Sequence, residues 1–274
     1  MKGRAAGLIA ALALTALALN AVAAGAVRAE APRVVSLDQC ADQYVLALVP
    51  RERIVALSPR ARSIDSHLRD RAVGIRRLRP SLEAMIAAKP DVVVRYWGGD
   101  ARLIRRLRAS GVEVVEIAHA DDFDAVRAGT RAVGTALGNV EGAEALVAQM
   151  DARLERASGG ARGQALYVTP GGYTSGPGTL IDAILRAAGF DNAERRAGFR
   201  PYSLERLILE PPARLVMGFF DNRWSDWRGT GRHPRMQALA ARTGRTDLAA
   251  SVLGCPAWFN AEAVEALASA GEAS

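Results

Sequence analysis

Short apolar runs alternate with helical stretches along most of this chain, and this alternation restricts the fold more than any other feature. In the first half, strands are predicted at residues 33–37, 53–58, 91–97 and 112–117, and helices at residues 42–49, 81–88 and 100–110. Strands that alternate with helices build βαβ units. The pattern therefore predicts a mostly parallel sheet, in an α/β lobe that spans residues 32–137.

A long helical stretch separates this lobe from a second region of the same kind. The helical pattern at residues 140–158 ends in Gly159 and Gly160. Strands are then predicted at residues 164–169 and 214–220, with helices at residues 179–189 and 203–210. The predicted fold class is α/β, with two lobes, at residues 32–137 and 163–274, joined by a single long interdomain helix at residues 140–158.

The first 29 residues have the pattern of a cleaved signal peptide. Lys2 and Arg4 precede an apolar run from Ala5 to Leu19, and small residues follow near positions 21–29. The alternative is a membrane anchor, but the apolar run is short for a span and no stop-transfer cluster follows it. We therefore expect export, with the mature protein in the periplasm.

The charge argues against a nucleic-acid partner. The formal net charge of +7 falls to +4 once Lys2, Arg4 and Arg28 leave with the signal peptide. Arginines alternate with acidic residues along the helices, and no basic stripe is interleaved with aromatic residues. The hydrophobic fraction of 50% is ample for a packed core.

The chain has two cysteines, Cys40 and Cys255. In an oxidising compartment, the default for such a pair is one structural disulfide. Two separate buried thiols remain the alternative, because the sequence does not show the geometry.

Both lobes contain the same short motif, in which the residues Ser-Leu-Glu are followed by a helix, a proline and a strand. Ser81 and Ser203 are predicted helix caps, and each places a glutamate, Glu83 or Glu205, in the first helical turn. Local stabilisation of the helix is a sufficient reason for each glutamate. The alternative is a matched pair of exposed acids that contact a symmetric partner.

The mature chain resembles the periplasmic substrate-binding proteins of ABC importers for cobalamin and ferric-siderophore complexes. The stretches RVVSLDQCADQYVLAL, LEAMIAAKPDVVV, GPGTLIDAILRAAGFDNA and YSLERLILEPPARLVM carry the resemblance in order and spacing. It implies two doubly wound, Rossmann-like lobes around a rigid interdomain helix, with the ligand in the cleft between them. It also implies that Glu83 and Glu205 dock into the dimeric permease of an ABC importer in the inner membrane, and that the carrier is a monomer.

Residues that follow the strands are predicted to line the cleft, because ligands bind at the carboxyl ends of parallel strands. A flat chelate or corrinoid would stack on aromatic rings and meet arginines through its acidic groups. The expected ligand is cobalamin, a ferric siderophore or haem, so the protein itself needs no cofactor. The predicted contacts are Ser36, Asp38, Gln39, Arg60, Tyr96, Trp97, Gly98, Tyr173, Phe220, Asp221, Trp224, Trp227 and Arg228.

Two other classes of protein are weighed against a chelate carrier. No histidine pair or serine elbow with catalytic spacing is present, so the sequence offers no evidence for an enzyme. A protein that binds a bare transition-metal ion would need converging histidines and carboxylates. His67, His119 and Asp65 are the only set that we identify for that role. In that case, Tyr96 and Trp97 would only pack over the carboxyl edge of the first sheet and would not contact a ligand.

Overall fold

The computed structural model describes residues 31–222 and 228–272, with side chains described as far as residue 270. Residues Arg33–Ser274 form one compact unit, distinct from Met1–Pro32, and the fold described here is that of the larger unit. The predicted signal peptide, residues 1–29, lies outside the described residues, and so do Trp224 and Trp227.

The first lobe is a four-stranded parallel sheet with helices between its strands. Its elements are β1 (Val34–Ser36), α1 (Gln39–Leu48), β2 (Ile54–Ala56), α2 (Leu82–Ala88), β3 (Val92–Arg95), α3 (Ala101–Ala109) and β4 (Glu113–Glu116). The strand order is β2-β1-β3-β4. The chain therefore moves to one side of β1 and then crosses back to β3, which puts the topological switch point between β1 and β3.

Two helices connect the lobes, and the second is the predicted interdomain helix. They are α4 (Phe123–Ala136) and α5 (Val140–Ala157). The side chain of Asn139 caps α5 by accepting a hydrogen bond from the backbone N–H of Gly142 at 2.8 Å. The observed end at Ala157 lies one residue before the predicted one.

The second lobe repeats the plan with a second four-stranded parallel sheet. Its elements are β5 (Gln164–Val168), β6 (Tyr173–Ser175), α6 (Leu180–Ala187), β7 (Asp191–Asn192), β8 (Phe199–Pro201), α7 (Leu204–Leu209), β9 (Arg214–Gly218), α8 (Pro234–Arg242) and β10 (Gly244–Leu248). The sheet order is β10-β9-β5-β7, and β6 and β8 form a separate antiparallel ribbon. The switch point of this sheet lies between β5 and β9.

Alternation along the buried strands divides the core into three clusters. Val92 and Val94 of β3 face a large core that also contains Tyr167 of β5 and Val216 of β9, whereas Val93 faces the opposite side of the first sheet. Because successive side chains of a strand point to opposite faces, each sheet is covered on both sides. One face of each sheet packs into the shared core, and the other is covered by helices of its own lobe.

The last segment of the chain joins the two lobes. It contains α9 (Ala250–Leu253) and α10 (Ala261–Glu272), and α10 packs against α5 and α6. Cys255, which follows α9, is bonded to Cys40 at the start of α1, with 5.3 Å between the Cα atoms. Tyr44 of α1 also packs edge-to-face on Trp258, at 5.3 Å between ring centroids. Since Cys40 follows β1 and the Cys255 segment follows β10, the carboxyl ends of the two sheets are linked here.

Candidate functional site

The loop after β3 is held from inside the fold by one buried carboxylate. Asp38 follows β1, and its Oδ2 accepts hydrogen bonds from the backbone N–H groups of Tyr96, Trp97 and Gly98 at 2.7, 3.0 and 2.7 Å. Its Oδ1 accepts two more, from Cys40 and Ala41, and so caps α1. Hydrogen bonds to an ionised group are among the stronger ones in proteins. Asp38 therefore fastens the two loops that meet at the switch point of the first sheet.

A second set of contacts closes the same loop from outside. Arg95 donates from Nε to the carbonyl oxygen of Gly98 at 2.7 Å, and its guanidinium also pairs with Glu116 at 3.2 Å. A side chain at position 98 would place its Cβ only 2.4 Å from the carbonyl oxygen of Leu37, so only glycine fits there. The loop is thus held by the side chains of Asp38 and Arg95 and by the close approach of Gly98 to Leu37.

The side chain of Trp97 projects from this fixed loop and is 55% exposed. An exposed indole on a rigid loop loses little conformational freedom on binding and offers a flat apolar face. Its position at the carboxyl edge of the sheet is the one predicted for a ligand contact.

Tyr96 begins a short chain of hydrogen bonds at the same edge. Its hydroxyl lies 2.8 Å from Nδ1 of His119, and Nε2 of His119 lies 2.9 Å from Asp121. Partial burial, followed by the charges of Asp121 and Asp38, raises the pKa of Tyr96, so the phenol is neutral at physiological pH. The sequence did not indicate Asp121, which follows a histidine in an otherwise ordinary helix-start segment.

The loop after β2 adds an arginine to this edge. Arg60 donates a hydrogen bond to the carboxylate of Asp65, and its side chain remains 51% exposed. Asp65 is in turn held by Gln39, whose side-chain amide donates to the Asp65 carbonyl oxygen at 2.6 Å. The partly exposed guanidinium has donors left for an acidic group of a ligand.

Four residues predicted to contact the ligand prove to be supports of the rim. Ser36, Asp38, Gln39 and Gly98 are all buried, and Ser36 donates its hydroxyl proton to the carbonyl oxygen of Asp38. The correction has a simple cause: the end of a strand needs polar side chains both to hold the loops and to meet a ligand, and sequence position does not separate the two tasks. Of the other predicted contacts in the first lobe, Arg60 and Trp97 are exposed and Tyr96 is half-buried.

In the second lobe, two loops meet at the switch point. The loop between β5 and β6 packs against the segment at residues 229–232, and Gly231 donates its backbone N–H to the carbonyl oxygen of Pro170 at 3.0 Å. A Cβ at Gly231 would lie 2.2 Å from the carbonyl oxygen of Thr169, so this backbone approach requires glycine. Tyr173 ends the loop with its side chain 52% exposed. It is the counterpart of Trp97 in the second lobe, an exposed aromatic residue on a backbone-packed loop.

The end of β9 carries an unusual backbone conformation. Phe219 has a φ of +66°, which is rare for a bulky residue and tends to occur at functional sites. The next residue, Phe220, has the guanidinium of Arg232 at 5.4 Å from its ring centroid. The sequence placed Phe220 among the predicted ligand contacts. It did not single out Arg232 or the unusual backbone conformation of Phe219.

Asp221 and Arg228 flank the undescribed segment that contains Trp224 and Trp227. The carboxylate of Asp221 accepts hydrogen bonds from the backbone N–H of Ala250 at 3.1 Å, so it anchors the start of α9. This contact gives Asp221 a structural role, and the residue is exposed. Arg228 is exposed, and its predicted contact with a ligand stays a prediction.

The alternative set of metal ligands does not converge. His67 stacks on Phe259 at 4.0 Å between centroids, Asp65 is paired with Arg60, and His119 is engaged by Tyr96 and Asp121. Within residues 31–222 and 228–272, no group of three or more histidine, cysteine, aspartate or glutamate side chains could hold a metal ion.

Glu83 and Glu205 are both exposed on short helices. Ser81 and Ser203 cap these helices as predicted, each accepting a backbone N–H at 3.2 Å. Backbone and Ser81 hydrogen bonds lower the pKa of Glu83, so it is ionised at neutral pH. Exposed apolar residues lie on the same helices, with Ile86 64% and Leu209 80% exposed. Each lobe therefore presents an acid next to an apolar side chain.

Among the residues that the structure describes, no helix has the length and apolar character needed to cross a membrane.

Two α/β lobes linked at the carboxyl ends of their sheets, with exposed aromatic residues on both rims, define a substrate-binding protein of the two-lobed class. The sequence profile of the periplasmic binding protein family matches residues 34–249. This chain belongs to that family, which confirms the predicted fold class.

Comparison with individual proteins gives distant relatives. A cobalamin-binding protein of Halobacterium salinarum is 27% identical over 205 residues, which cover 71% of this chain and 56% of that protein. The chain thus spans little more than half the length of this curated relative.

Solved structures share the fold at lower identity. The periplasmic heme-binding protein RhuT from Roseiflexus sp. RS-1 has 22% identity and a TM-score of 0.68, over 88% of this chain and 100% of its own. The periplasmic vitamin B12 binding protein BtuF of Vibrio cholerae has 17% identity and a TM-score of 0.65, over 88% and 97%. The family and both of these neighbours are named as binding proteins.

Proposed function

We propose that this protein captures a planar metal chelate or corrinoid between the carboxyl edges of its two sheets and delivers it to an ABC importer. The candidate ligands are cobalamin, haem and ferric siderophores. The observation that carries the proposal is the exposed indole of Trp97 on a loop whose backbone is fastened by Asp38. The names of the relatives, which bind cobalamin, heme or vitamin B12, support the same ligand class.

Together the two rims offer aromatic faces and a cationic group to such a ligand. Trp97 and Tyr173 offer exposed aromatic faces, and Arg60 offers a guanidinium for a carboxylate or phosphate. Stacking of an aromatic side chain on a flat ring system stabilises a complex by about 1–3 kcal/mol, by analogy with stacking on nucleic-acid bases. Several such contacts suffice for micromolar or tighter binding after the cost of association.

Delivery depends on Glu83 and Glu205. The permease of an ABC importer is a two-fold dimer, so it presents two equivalent sites, and a carrier with one exposed acid on each lobe can occupy both. Charges at the rim of an interface mainly set orientation and association rate. Residues 1–29 would direct the chain to the periplasm, where the disulfide between Cys40 and Cys255 is stable.

The test is a titration of the chain from residue 30 onward with cyanocobalamin, haemin and a panel of ferric siderophores, followed by tryptophan fluorescence. We expect saturable quenching by one class with a dissociation constant in the micromolar range or below. No binding of any of them, together with binding of free Zn²⁺ or Mn²⁺, would contradict the proposal and point to a carrier of bare metal ions.

A further inference from the structure

The positive charge of the chain is concentrated in one segment of the first lobe, which leads through β2 to α2. Residues 51–80 contain nine arginines and three acidic residues, a net charge of +6. The chain from residue 30 onward has a net charge of +4, so everything outside this segment has a net charge of −2. Such an asymmetry is typical of a surface that meets an anionic partner.

Four of these arginines line one groove on the surface of the lobe, called the arginine groove below. They are Arg62, Arg76, Arg77 and Arg79, and none of the described residues that line the groove with them is acidic. All four are exposed. Guanidinium groups that share a groove without a counter-charge repel one another, and an anion between them relieves this repulsion.

The donors of these side chains are largely unused by the protein. The side chains of Arg62, Arg76 and Arg79 make no ion pair or hydrogen bond with any residue in the ranges 31–222 and 228–272. Arg77 donates one hydrogen bond, to the carbonyl oxygen of Pro59 at 3.3 Å, and keeps its other donors. The arginine groove can therefore meet several phosphate oxygens at once.

The backbone that carries the arginines is fixed against the edge of the first sheet. Leu57 donates its N–H to the carbonyl oxygen of Arg76 at 2.9 Å, and Leu78 donates to that of Leu57 at 3.0 Å. Leu78 is buried in the core of the lobe. Since side chains alternate along an extended backbone, Arg77 and Arg79 point away from that core. The fold itself thus sets the spacing of the charges.

The place of the groove in the fold favours a membrane surface over a soluble anion. Arg79 precedes Glu83 by four residues, and four residues of chain span at most about 14 Å. The groove therefore adjoins α2, the helix proposed to meet the permease, and would lie close to the lipid headgroups around it. Val73, beside the groove residue Gly74, is 51% exposed. An exposed apolar side chain suits the boundary between headgroups and acyl chains.

A nucleic acid is not the partner that this segment fits. Residues 51–80 contain no phenylalanine, tyrosine or tryptophan, the side chains on which single-stranded bases stack.

We propose that the arginine groove is a membrane-contact site, which binds the phosphate groups of anionic phospholipids at the periplasmic surface of the inner membrane. The contact would hold the carrier at the membrane with α2 beside the permease. The choice of this partner rests on the proposed delivery to a permease. Binding to lipid vesicles needs neither chelate nor permease, so the two proposals can fail separately.

The test is sedimentation of the chain from residue 30 onward with lipid vesicles. One set contains phosphatidylcholine alone, and the other contains phosphatidylcholine with phosphatidylglycerol. We expect binding only to the anionic set, with a steep decrease as salt is added, because salt screens contacts between exposed charges. The triple variant Arg76→Gln, Arg77→Gln and Arg79→Gln should lower the partition coefficient about 100-fold, since each arginine near an anionic surface contributes about 5-fold.

The matched control removes three exposed arginines of the second lobe, by Arg195→Gln, Arg235→Gln and Arg242→Gln. Their side chains also lack an ion pair or hydrogen bond within the described ranges. Both triple variants lose the same net charge, so a difference between them locates the contact. We expect the control to bind anionic vesicles within about 2-fold of the unmodified protein, because its charges lie outside the contact. The melting temperatures of both variants should match that of the unmodified protein.

Titration with inorganic pyrophosphate separates a lipid surface from a soluble phosphate compound. Saturable binding of pyrophosphate at micromolar concentration, without binding to vesicles, would overturn the proposal and make the groove a site for a soluble ligand. No binding to anionic vesicles, equal binding to both sets of vesicles, or an equal loss in the two triple variants would overturn it as well.

Discussion

Asp38 holds Trp97 by its backbone while leaving its side chain in solvent. Oδ2 of the buried carboxylate accepts the N–H of Trp97 at 3.0 Å, and the indole is 55% exposed. A flat apolar group is thereby fixed at the switch point of the first sheet, where open α/β sheets bind ligands. The buried residue and the exposed residue thus form one unit, and changes to either should affect binding in different ways.

Replacement of Asp38 by asparagine should loosen this loop. The amide cannot accept all five backbone N–H groups that the carboxylate accepts, so we expect Asp38→Asn to lower the free energy of unfolding by roughly 2–4 kcal/mol. Ligand affinity should fall as well. Urea denaturation and ligand titration measure the two effects.

Asp100→Asn is the matched control for this change. Asp100 caps α3 by accepting one backbone N–H, from Leu103 at 2.7 Å, and supports no other loop. Asparagine is as good a helix cap as aspartate, so stability should change by well under about 1 kcal/mol. Equal effects of the two substitutions would show that Asp38 is only a helix cap.

Asp42 predicts a pH dependence of stability in the acidic range. Burial raises its pKa from 3.8 to about 6, even though Ser58 donates two hydrogen bonds to it, at 2.9 and 2.6 Å. In that interval the folded state binds more protons than the unfolded state, so the contribution of Asp42 to stability falls as the pH rises from about 4 to 6. The total loss should be up to roughly 3 kcal/mol.

Asp42→Asn should abolish this part of the pH profile. The amide can accept the N–H of Ser58 and donate to its hydroxyl, so the geometry is retained without a titrating group. The free energy of unfolding is measured against pH for the unmodified protein and for Asp42→Asn. The difference between the two curves gives the contribution of Asp42 alone, separate from that of the carboxylates whose pKa is lowered. A difference that does not vary between pH 4 and 6 would show that Asp42 is ionised in the folded protein.

Tyr96→Phe tests whether the protein touches the metal of its ligand. The phenolic oxygen is polarised by its hydrogen bond to His119, and an oxygen of this kind can bind a metal centre that has an open axial position. If haemin is the chelate that the unmodified protein binds, we expect the variant to bind it at least 10-fold more weakly and with an altered absorption spectrum. If cyanocobalamin is that chelate, its binding should be unchanged, because its axial positions are filled. An unaltered haemin spectrum would exclude a direct contact between Tyr96 and the metal.

Removal of both exposed acids should separate capture from delivery. The double variant Glu83→Gln with Glu205→Gln is expected to bind ligand with normal affinity and to reduce uptake into cells at least 10-fold, since the permease would lose both charge contacts. Glu113→Gln, at an exposed glutamate in β4, is the control. Normal uptake by the double variant would remove the docking role of these residues.

The sequence predicted most of the structure that is built from buried, periodic segments. The valine run of β3 and the helix caps Ser81 and Ser203 lie where the pattern placed them. The β6–β8 ribbon and β10 were missed. The two strands of the ribbon have three residues each, and β10 has only Thr246 and Leu248 buried, so none of these strands has a strong hydrophobic pattern.

The sequence indicated where the candidate site lies, but it did not separate residues that would contact a ligand from residues that hold the loops. The exposed position of Trp97 follows from its place after a buried strand, which the pattern shows. The role of Asp38 does not, because an aspartate after a strand can equally face a ligand or bind backbone N–H groups, and only the folded geometry decides. Arg232 and Asp121 depend on contacts between segments far apart in the chain, which no local pattern encodes.

The most direct test of the account is the affinity of Trp97→Ala for whichever chelate the unmodified protein binds, compared with that of Ile86→Ala. Ile86 is also an exposed apolar residue, 64% exposed, but it lies on α2 and outside both rims. We predict that Trp97→Ala weakens binding about 5- to 100-fold, while Ile86→Ala leaves it unchanged. Equal affinities of the two variants would contradict the assignment of this edge as the ligand-binding surface.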